Sequence, residues 1–179
     1  MMTIRRLCCC LSRRHFARIS MSDMLGLSSM NRGLSEIRAK CRRLKQQHNL
    51  KMVIIDYLQL MSSGKKVESR QQEVAEFSRA LKLLAKELEV PVIAISQLNR
   101  GPEQRTDKRP QMSDLRESGS IEQDADVVIL LHRDRSDPER DGEADVIGAK
   151  HRNGPTKDIV LAFQGHYSRF NNMASDGGF

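Results

Sequence analysis

The chain has 179 residues, of which 39% are hydrophobic and 30% charged, a balance typical of a single globular domain. No apolar run approaches the roughly 20 residues that a membrane-spanning helix needs, so no such helix is expected. The formal net charge of +7 comes from the first 50 residues, which hold 11 Lys and Arg against 2 Asp and Glu. The overall charge therefore gives no indication of a nucleic-acid site in the rest of the chain.

The amino-terminal segment is basic and has no periodicity. Residues 1–22 contain five Arg, three Ser and no acidic residue, a composition that resembles an organellar transit peptide. An incidental basic extension or a misplaced start codon remains the alternative, because Met21 could begin the chain. We expect residues 1–33 to be a disordered extension and residues 171–179 a disordered tail. The cysteines match neither a zinc spacing nor a disulfide framework, which favours a reducing compartment; they are Cys8, Cys9, Cys10 and Cys41.

Two helices and two strands are predicted in the first half of the chain. Ser35 is a candidate N-cap of a helix whose apolar stripe is Leu34, Ile37, Cys41 and Leu44. Residues 52–58 form an apolar run that predicts a buried strand. Residues 67–89 predict a second helix, with an apolar stripe at Val74, Phe77, Leu81, Leu84 and Leu88. A strand from Val92 to Ser96 follows, and residues 99–112 are a polar loop.

Three further strands are predicted from the stretches "VVILLHR", "ADVIGAK" and "IVLAF", and the pair Gly154-Pro155 predicts a hairpin turn between the last two. Helices alternating with apolar strands indicate an α/β fold, with a mostly parallel sheet flanked by helices and a carboxyl-terminal antiparallel hairpin. Ligands of such sheets bind at the carboxyl ends of the strands. Asp56 and Gln97 each lie at or near the carboxyl end of a predicted strand and are therefore candidates for one shared site.

An apolar strand that ends in Asp, as in "VIID", is the Walker B pattern, in which the carboxylate holds Mg²⁺ beside nucleotide phosphates. Taken alone the pattern is weak, because many strands end in an Asp that serves as a turn or cap residue. Three later stretches occur with it in order: "PVIAISQLNR", "RPQMSDLRESGSIEQDADVV" and "AKHRNGPT". Together the four stretches closely resemble the motor domain of DnaB-type replicative DNA helicases, which are ring helicases with a RecA-like core. The resemblance covers about residues 34–170.

The resemblance implies roles for several residues. Asp56 matches the Walker B ligand of Mg²⁺, and Gln97 matches a glutamine that senses the γ-phosphate of ATP. Lys150 and Arg152 match the lysine and arginine finger that reach the γ-phosphate held by a neighbouring subunit. Residues two apart on a strand point to the same side, so both cations could reach one phosphate if the strand continued to Arg152.

The stretch "DLRESGS" matches a loop that faces the central channel of the ring. The resemblance implies that Arg116, Glu117 and Gly119 hold the backbone of single-stranded DNA. No aromatic residue is available there for base stacking, so tracking without sequence preference is expected. A surface turn capped by Ser113 is the alternative for this stretch.

No P-loop of the form GxxxxGK[ST] occurs in the sequence. Its single Gly-Lys pair, Gly64-Lys65, is followed by Lys66 and lies after the Walker B strand, whereas a P-loop precedes it. In the family a central strand carries the P-loop, so its absence leaves an open strand edge. We expect negligible ATP hydrolysis by this chain alone.

The resemblance implies an ATP-dependent 5′→3′ DNA helicase that uses Mg²⁺, forms a hexamer on single-stranded DNA at a replication fork, and works with primase and a loader. This chain would be an incomplete copy of its carboxyl-terminal domain. A non-catalytic partner that completes a ring of intact helicase subunits is the alternative, and a recombinase or clock protein fits the motifs less well. The family favours the bacterial cytoplasm; a transit peptide at residues 1–22 would favour an organelle.

Overall fold

The structure, a computed structural model, describes residues 16–20, 33–61, 69–115, 119–134 and 137–173. They form two compact units. The parallel-sheet unit comprises the described residues within 12–99 and 115–125, and the antiparallel-sheet unit comprises those within 100–114 and 126–179.

The helices are α1 (Leu34–His48), α2 (Arg70–Leu88) and α3 (Gly119–Asp124). The strands are β1 (Phe16–Ser20), β2 (Met52–Asp56), β3 (Val92–Ala94), β4 (Val127–His132), β5 (Glu143–His151), β6 (Asp158–Gln164) and β7 (Arg169–Asn172). Both predicted sheet types are present: β1, β2 and β3 form a parallel sheet in that order, and β4 to β7 form an antiparallel one.

Strand β1 corrects the expectation that residues 1–33 are disordered. It runs parallel to β2, from the pair Phe16 and Met52 to the pair Ser20 and Asp56. This pairing gives hydrogen-bond partners to the backbone N–H and C=O groups along one edge of β2. Without such partners, burying these groups would be costly. The expectation for residues 1–15 and 21–32 lies outside the described residues.

The two long helices pack their predicted apolar stripes into the core. In α2 all five stripe residues are buried, and the Ser69 hydroxyl caps the helix by accepting the Gln72 N–H at 3.3 Å. Helix α1 begins one residue after Gly33, so Ser35 lies inside the helix and is not its N-cap. Cys41 is fully buried, and burial raises the pKa of its thiol to about 11, so Cys41 stays protonated and acts as a packing residue.

The core of the parallel-sheet unit joins both helices to β2. Ile121 of α3 and Val92 of β3 pack at its margin. Its buried members are Ile37, Cys41, Leu50, Val53, Ile55, Leu58, Met61, Phe77, Leu81, Leu84, Leu88 and Val90. Strand β2 is thus held by the packing of its buried side chains against the two helices, and this packing fixes the position of its carboxyl end.

In the antiparallel-sheet unit, β5 and β6 form the predicted hairpin. The sequence "RFNN" carries little apolar periodicity and does not by itself predict β7. β7 pairs with β6, and the rings of Phe163 and Phe170 lie 5.0 Å apart. Residues 171 and 172 therefore belong to the sheet, which corrects part of the expected disordered tail; residues 174–179 lie outside the described residues.

Two strands at sheet edges expose apolar side chains. Ile93 of β3 is 45% exposed, and on β4 the exposed residues are Val127, Ile129 and Leu131. Among the described residues, no helix is long and apolar enough to cross a membrane.

Candidate functional site

Asp56 is the last residue of β2 and is half-buried. Within the described part of the chain its carboxylate makes no hydrogen bond or ion pair, and no group of three or more His, Cys, Asp or Glu comes together. Mg²⁺ in proteins is commonly held by one or two carboxylates, with water and phosphate oxygens completing an octahedron. The Asp56 carboxylate fits that pattern, provided that nucleotide supplies the phosphate.

Gln97 lies three residues beyond the end of β3 and is exposed. Strands β2 and β3 are parallel neighbours, with Ile55 in register with Ala94, so Asp56 and Gln97 lie at the same edge of the sheet. No described residue bonds the side-chain amide of Gln97, which leaves it available to a ligand. The sequence-based expectation that both residues lie at or near the carboxyl ends of strands of one sheet is confirmed; their roles stay predictions.

Gln59, which sequence reasoning missed, contacts the backbone of Gln97. Its Nε2 donates to the Ser96 hydroxyl at 2.8 Å and to the Gln97 carbonyl at 3.3 Å, and its Oε1 accepts the Gln97 N–H at 3.3 Å. Gln59 lies in the stretch "VIIDYLQLM" around the Walker B strand, but its residue type there predicts no chemical role, so only the fold reveals this contact.

Arg70, the first residue of α2, holds the turn that carries Gln59. Its guanidinium donates to the carbonyls of Gln59 at 2.8 Å and Met61 at 2.9 Å, and it forms an ion pair with Glu73. These charge-assisted hydrogen bonds link the start of α2 to the edge of the sheet where Asp56 lies.

The predicted DNA loop is only partly described. Arg116 and Glu117 lie outside the described residues. Leu115, just before them, forms an isolated antiparallel bridge with Leu98, and Gly119 begins α3. A Cβ added at Gly119 would meet no atom within 4 Å, so packing does not require glycine there.

Lys150 and Arg152 lie in the antiparallel-sheet unit. Lys150 is in β5, paired with Val128, but β5 ends at His151 and does not include Arg152. The Arg152 N–H donates to the Asp126 carbonyl at 2.8 Å, and its guanidinium pairs with the Asp126 carboxylate at 3.2 Å. The condition that the strand continue through both cations is therefore not met, and Arg152 is held by Asp126.

The turn after Arg152 is shaped by a close contact. A Cβ at Gly154 would lie 2.5 Å from the His151 ring, so only glycine fits there without a shift of that ring. His151 Nδ1 lies 3.3 Å from the Pro155 carbonyl oxygen. The turn "HRNGP" is thus closely packed beside Arg152.

A buried carboxylate holds the beginning of β5. Asp145 bonds the Arg140 guanidinium at 2.7 and 3.2 Å, and Arg140 also donates to Glu143 at 2.9 Å. Hydrogen bonding from Arg140 lowers the pKa of Asp145 against the opposing effect of burial. The strand that leads to Lys150 is fixed by this ion pair at its other end.

The sequence profile of the family described as DnaB-like helicase C terminal domain matches residues 11–172. The match thus begins before residue 34, within the segment predicted to be a disordered extension. The chain is 76% identical over 149 residues to the replicative DNA helicase DnaB of Leifsonia xyli subsp. xyli, a match that covers 82% of this chain and 33% of that protein. The chain therefore spans about a third of the length of this curated relative.

Two solved structures are similar to this chain. One is described as an ATPase domain, with a TM-score of 0.75 and 45% identity over 79% of this chain and 52% of that one. The other is described as the structure of a DnaB-like replicative helicase and its interactions with primase; its TM-score is 0.76, with 40% identity over 86% of this chain and 40% of that one. On the family match and these similarities, the chain belongs to the DnaB-like helicase C-terminal domain family.

Proposed function

We propose that this chain forms the carboxyl-terminal part of the motor of a replicative DNA helicase, which couples ATP hydrolysis to 5′→3′ movement on single-stranded DNA. The observation that carries the proposal is the placement of Asp56 and Gln97 at the carboxyl ends of neighbouring parallel strands. Such strand ends are the ligand-binding edge of α/β sheets.

Within that motor each residue has a separate task. Asp56 would hold Mg²⁺, which when bound would neutralise charge on the phosphates of ATP. The Gln97 amide would hydrogen-bond the γ-phosphate, and the bond would be lost after hydrolysis. A P-loop supplied by the rest of the helicase would hold the other phosphates, because the 179-residue sequence has none.

Lys150 and Arg152 would stabilise charge on the γ-phosphate bound by a neighbouring subunit of a hexameric ring. By the resemblance of "DLRESGS" to the channel-facing loop, Arg116, Glu117 and Gly119 would hold the backbone of the DNA strand, and Arg116 would pair with its phosphates. By likeness to the helicase whose structure was described with primase, primase would be a further partner. A loader is proposed from the family resemblance alone. The bacterial cytoplasm is the proposed compartment.

The proposal is tested in a graft, defined as the Leifsonia xyli helicase in which the matching segment is replaced by residues 34–172 of this chain. The graft should hydrolyse ATP in the presence of single-stranded DNA and unwind duplexes with a 5′ tail but not those with a 3′ tail. The 179-residue chain alone should show no turnover above background.

Asp56→Asn should lower kcat of the graft at least about 100-fold, because the metal would lose the carboxylate that Asp56 supplies. Asp141→Asn is the matched control, since the Asp141 side chain is 82% exposed, and it should leave kcat unchanged. Full turnover by the Asp56→Asn graft would overturn the proposal. No turnover by the unmutated graft would instead favour a non-catalytic ring partner, which uses Arg152 but needs no metal ligand of its own.

A further inference from the structure

The pairing of β2 with β3 continues beyond the strands through a side chain. The last main-chain hydrogen bonds run from the Ile95 N–H to the Ile55 carbonyl and from the Leu58 N–H to the Ile95 carbonyl, both at 2.9 Å. The next two residues of the β3 segment, Ser96 and Gln97, are bonded by the side chain of Gln59. Gln59 thus replaces the main-chain partner that Gln97 would have in a longer strand, and it also bonds the Ser96 hydroxyl.

The amide of Gln59 suits this task because it is both donor and acceptor. Its oxygen accepts the Gln97 N–H, while its nitrogen donates to the Gln97 carbonyl and to the Ser96 hydroxyl. Both main-chain polar groups of Gln97 are therefore held by one side chain. Neither Asn nor Met could reproduce these contacts: Asn is one methylene too short, and Met has no N–H to donate.

The backbone of Gln59 is itself fixed. Arg70 donates to its carbonyl at 2.8 Å and to the carbonyl of Met61 at 2.9 Å. Gln59 and Ser96 are half-buried, whereas Gln97 is exposed. The backbone of Gln97 is therefore held in place while its side chain is open to solvent. An amide that senses a phosphate requires this kind of positioning.

We propose that Gln59 is a positioning residue for Gln97, holding its backbone so that the Gln97 amide lies at a constant place beside the end of β2. The proposal rests on the proposed function for the role of Gln97. The hydrogen bonds from Gln59 and their effect on the Gln97 backbone can be measured without that function.

The structural test measures amide hydrogen exchange by NMR in the full 179-residue chain. Gln59→Met should raise the exchange rate of the Gln97 N–H about tenfold, as expected for the loss of one hydrogen bond, and should leave the Ile54 N–H in β2 unchanged. Gln59→Glu keeps the oxygen acceptor but places its second oxygen against the Gln97 carbonyl, so it should restore only part of the protection. Gln47→Met is the matched control, because Gln47 is an exposed glutamine on α1, and it should change neither rate.

The functional test places the same substitutions in the graft. Gln59→Met should lower kcat for ATP about tenfold and leave KM within about twofold, because Gln97 would be misplaced for the reaction while phosphate binding stays with other groups. Unchanged exchange at Gln97 in Gln59→Met would overturn the proposal. Raised exchange with unchanged kcat would equally overturn a positioning role. Failure of the proposed function is distinguishable, since it would appear as an unaltered kcat in the Asp56→Asn graft.

Discussion

The two units of the molecule hold their candidate site residues by different means. In the parallel-sheet unit, Gln97 is held by the neutral amide of Gln59. The described part of this unit has a core of 12 buried residues. In the antiparallel-sheet unit, Arg152 is held by Asp126 through an ion pair whose side chains are 47% and 52% exposed. Exposed ion pairs contribute at most about 1 kcal/mol and are screened by salt. Gln97 is therefore held by a half-buried side chain, whereas Arg152 would lose little stability if the Asp126 carboxylate were replaced by another anion.

The largest expected effect lies in the core of the parallel-sheet unit. Phe77 is 1% exposed, and Phe77→Ala should lower the free energy of unfolding by about 3–5 kcal/mol, because the truncation leaves a cavity behind β2. Leu83→Ala on the same helix is the control: Leu83 is 54% exposed, and its loss should cost less than about 0.5 kcal/mol. Urea denaturation followed by circular dichroism measures both. Equal losses in the two variants would contradict the assignment of this core.

The core of that unit is predictable from sequence because it depends on periodicity. The steps of three and four along α2 select five residues, and all five are buried. Asp56 and Gln97 are recognisable because each follows an apolar strand. Gln59 and Asp126 are not, because their contacts join segments far apart in the chain and use residue types that are common on surfaces. Strand β1 escapes prediction for a related reason: its arginine-bearing sequence "FARIS" becomes a strand through its pairing with β2.

A smaller effect is expected from the ion pair that fixes the start of β5. Asp145 is buried and bonded by Arg140, so Asp145→Asn should lower the free energy of unfolding by about 1–3 kcal/mol. Asp158→Asn removes a carboxylate that is 52% exposed and paired with Arg109, and should cost less than about 1 kcal/mol. Thermal denaturation at pH 7 compares the two variants. A larger loss for Asp158→Asn would contradict the account of β5.

The same pair predicts a pH dependence. The pKa of Asp145 is lower in the folded chain than in the unfolded chain. Ionised Asp145 therefore contributes fully to the free energy of unfolding above the unfolded-state pKa of about 3.9. This contribution is lost as the pH falls through the folded-state pKa. The unmodified chain should therefore lose stability below about pH 4, and Asp145→Asn should lose less over that range. If both proteins lost stability equally below about pH 4, carboxylates other than Asp145 would account for the acid destabilisation.

The central claim is that Asp56 and Arg152 serve one nucleotide site from two different subunits. The direct test mixes two inactive grafts, one carrying Asp56→Asn and the other Arg152→Ala, and measures ATP hydrolysis with single-stranded DNA. In mixed rings an Arg152→Ala subunit, with Asp56 intact, can lie beside an Asp56→Asn subunit that supplies Arg152. An equal mixture should recover up to about a quarter of the unmutated rate, since that share of interfaces carries both residues. No recovery on mixing would contradict the claim.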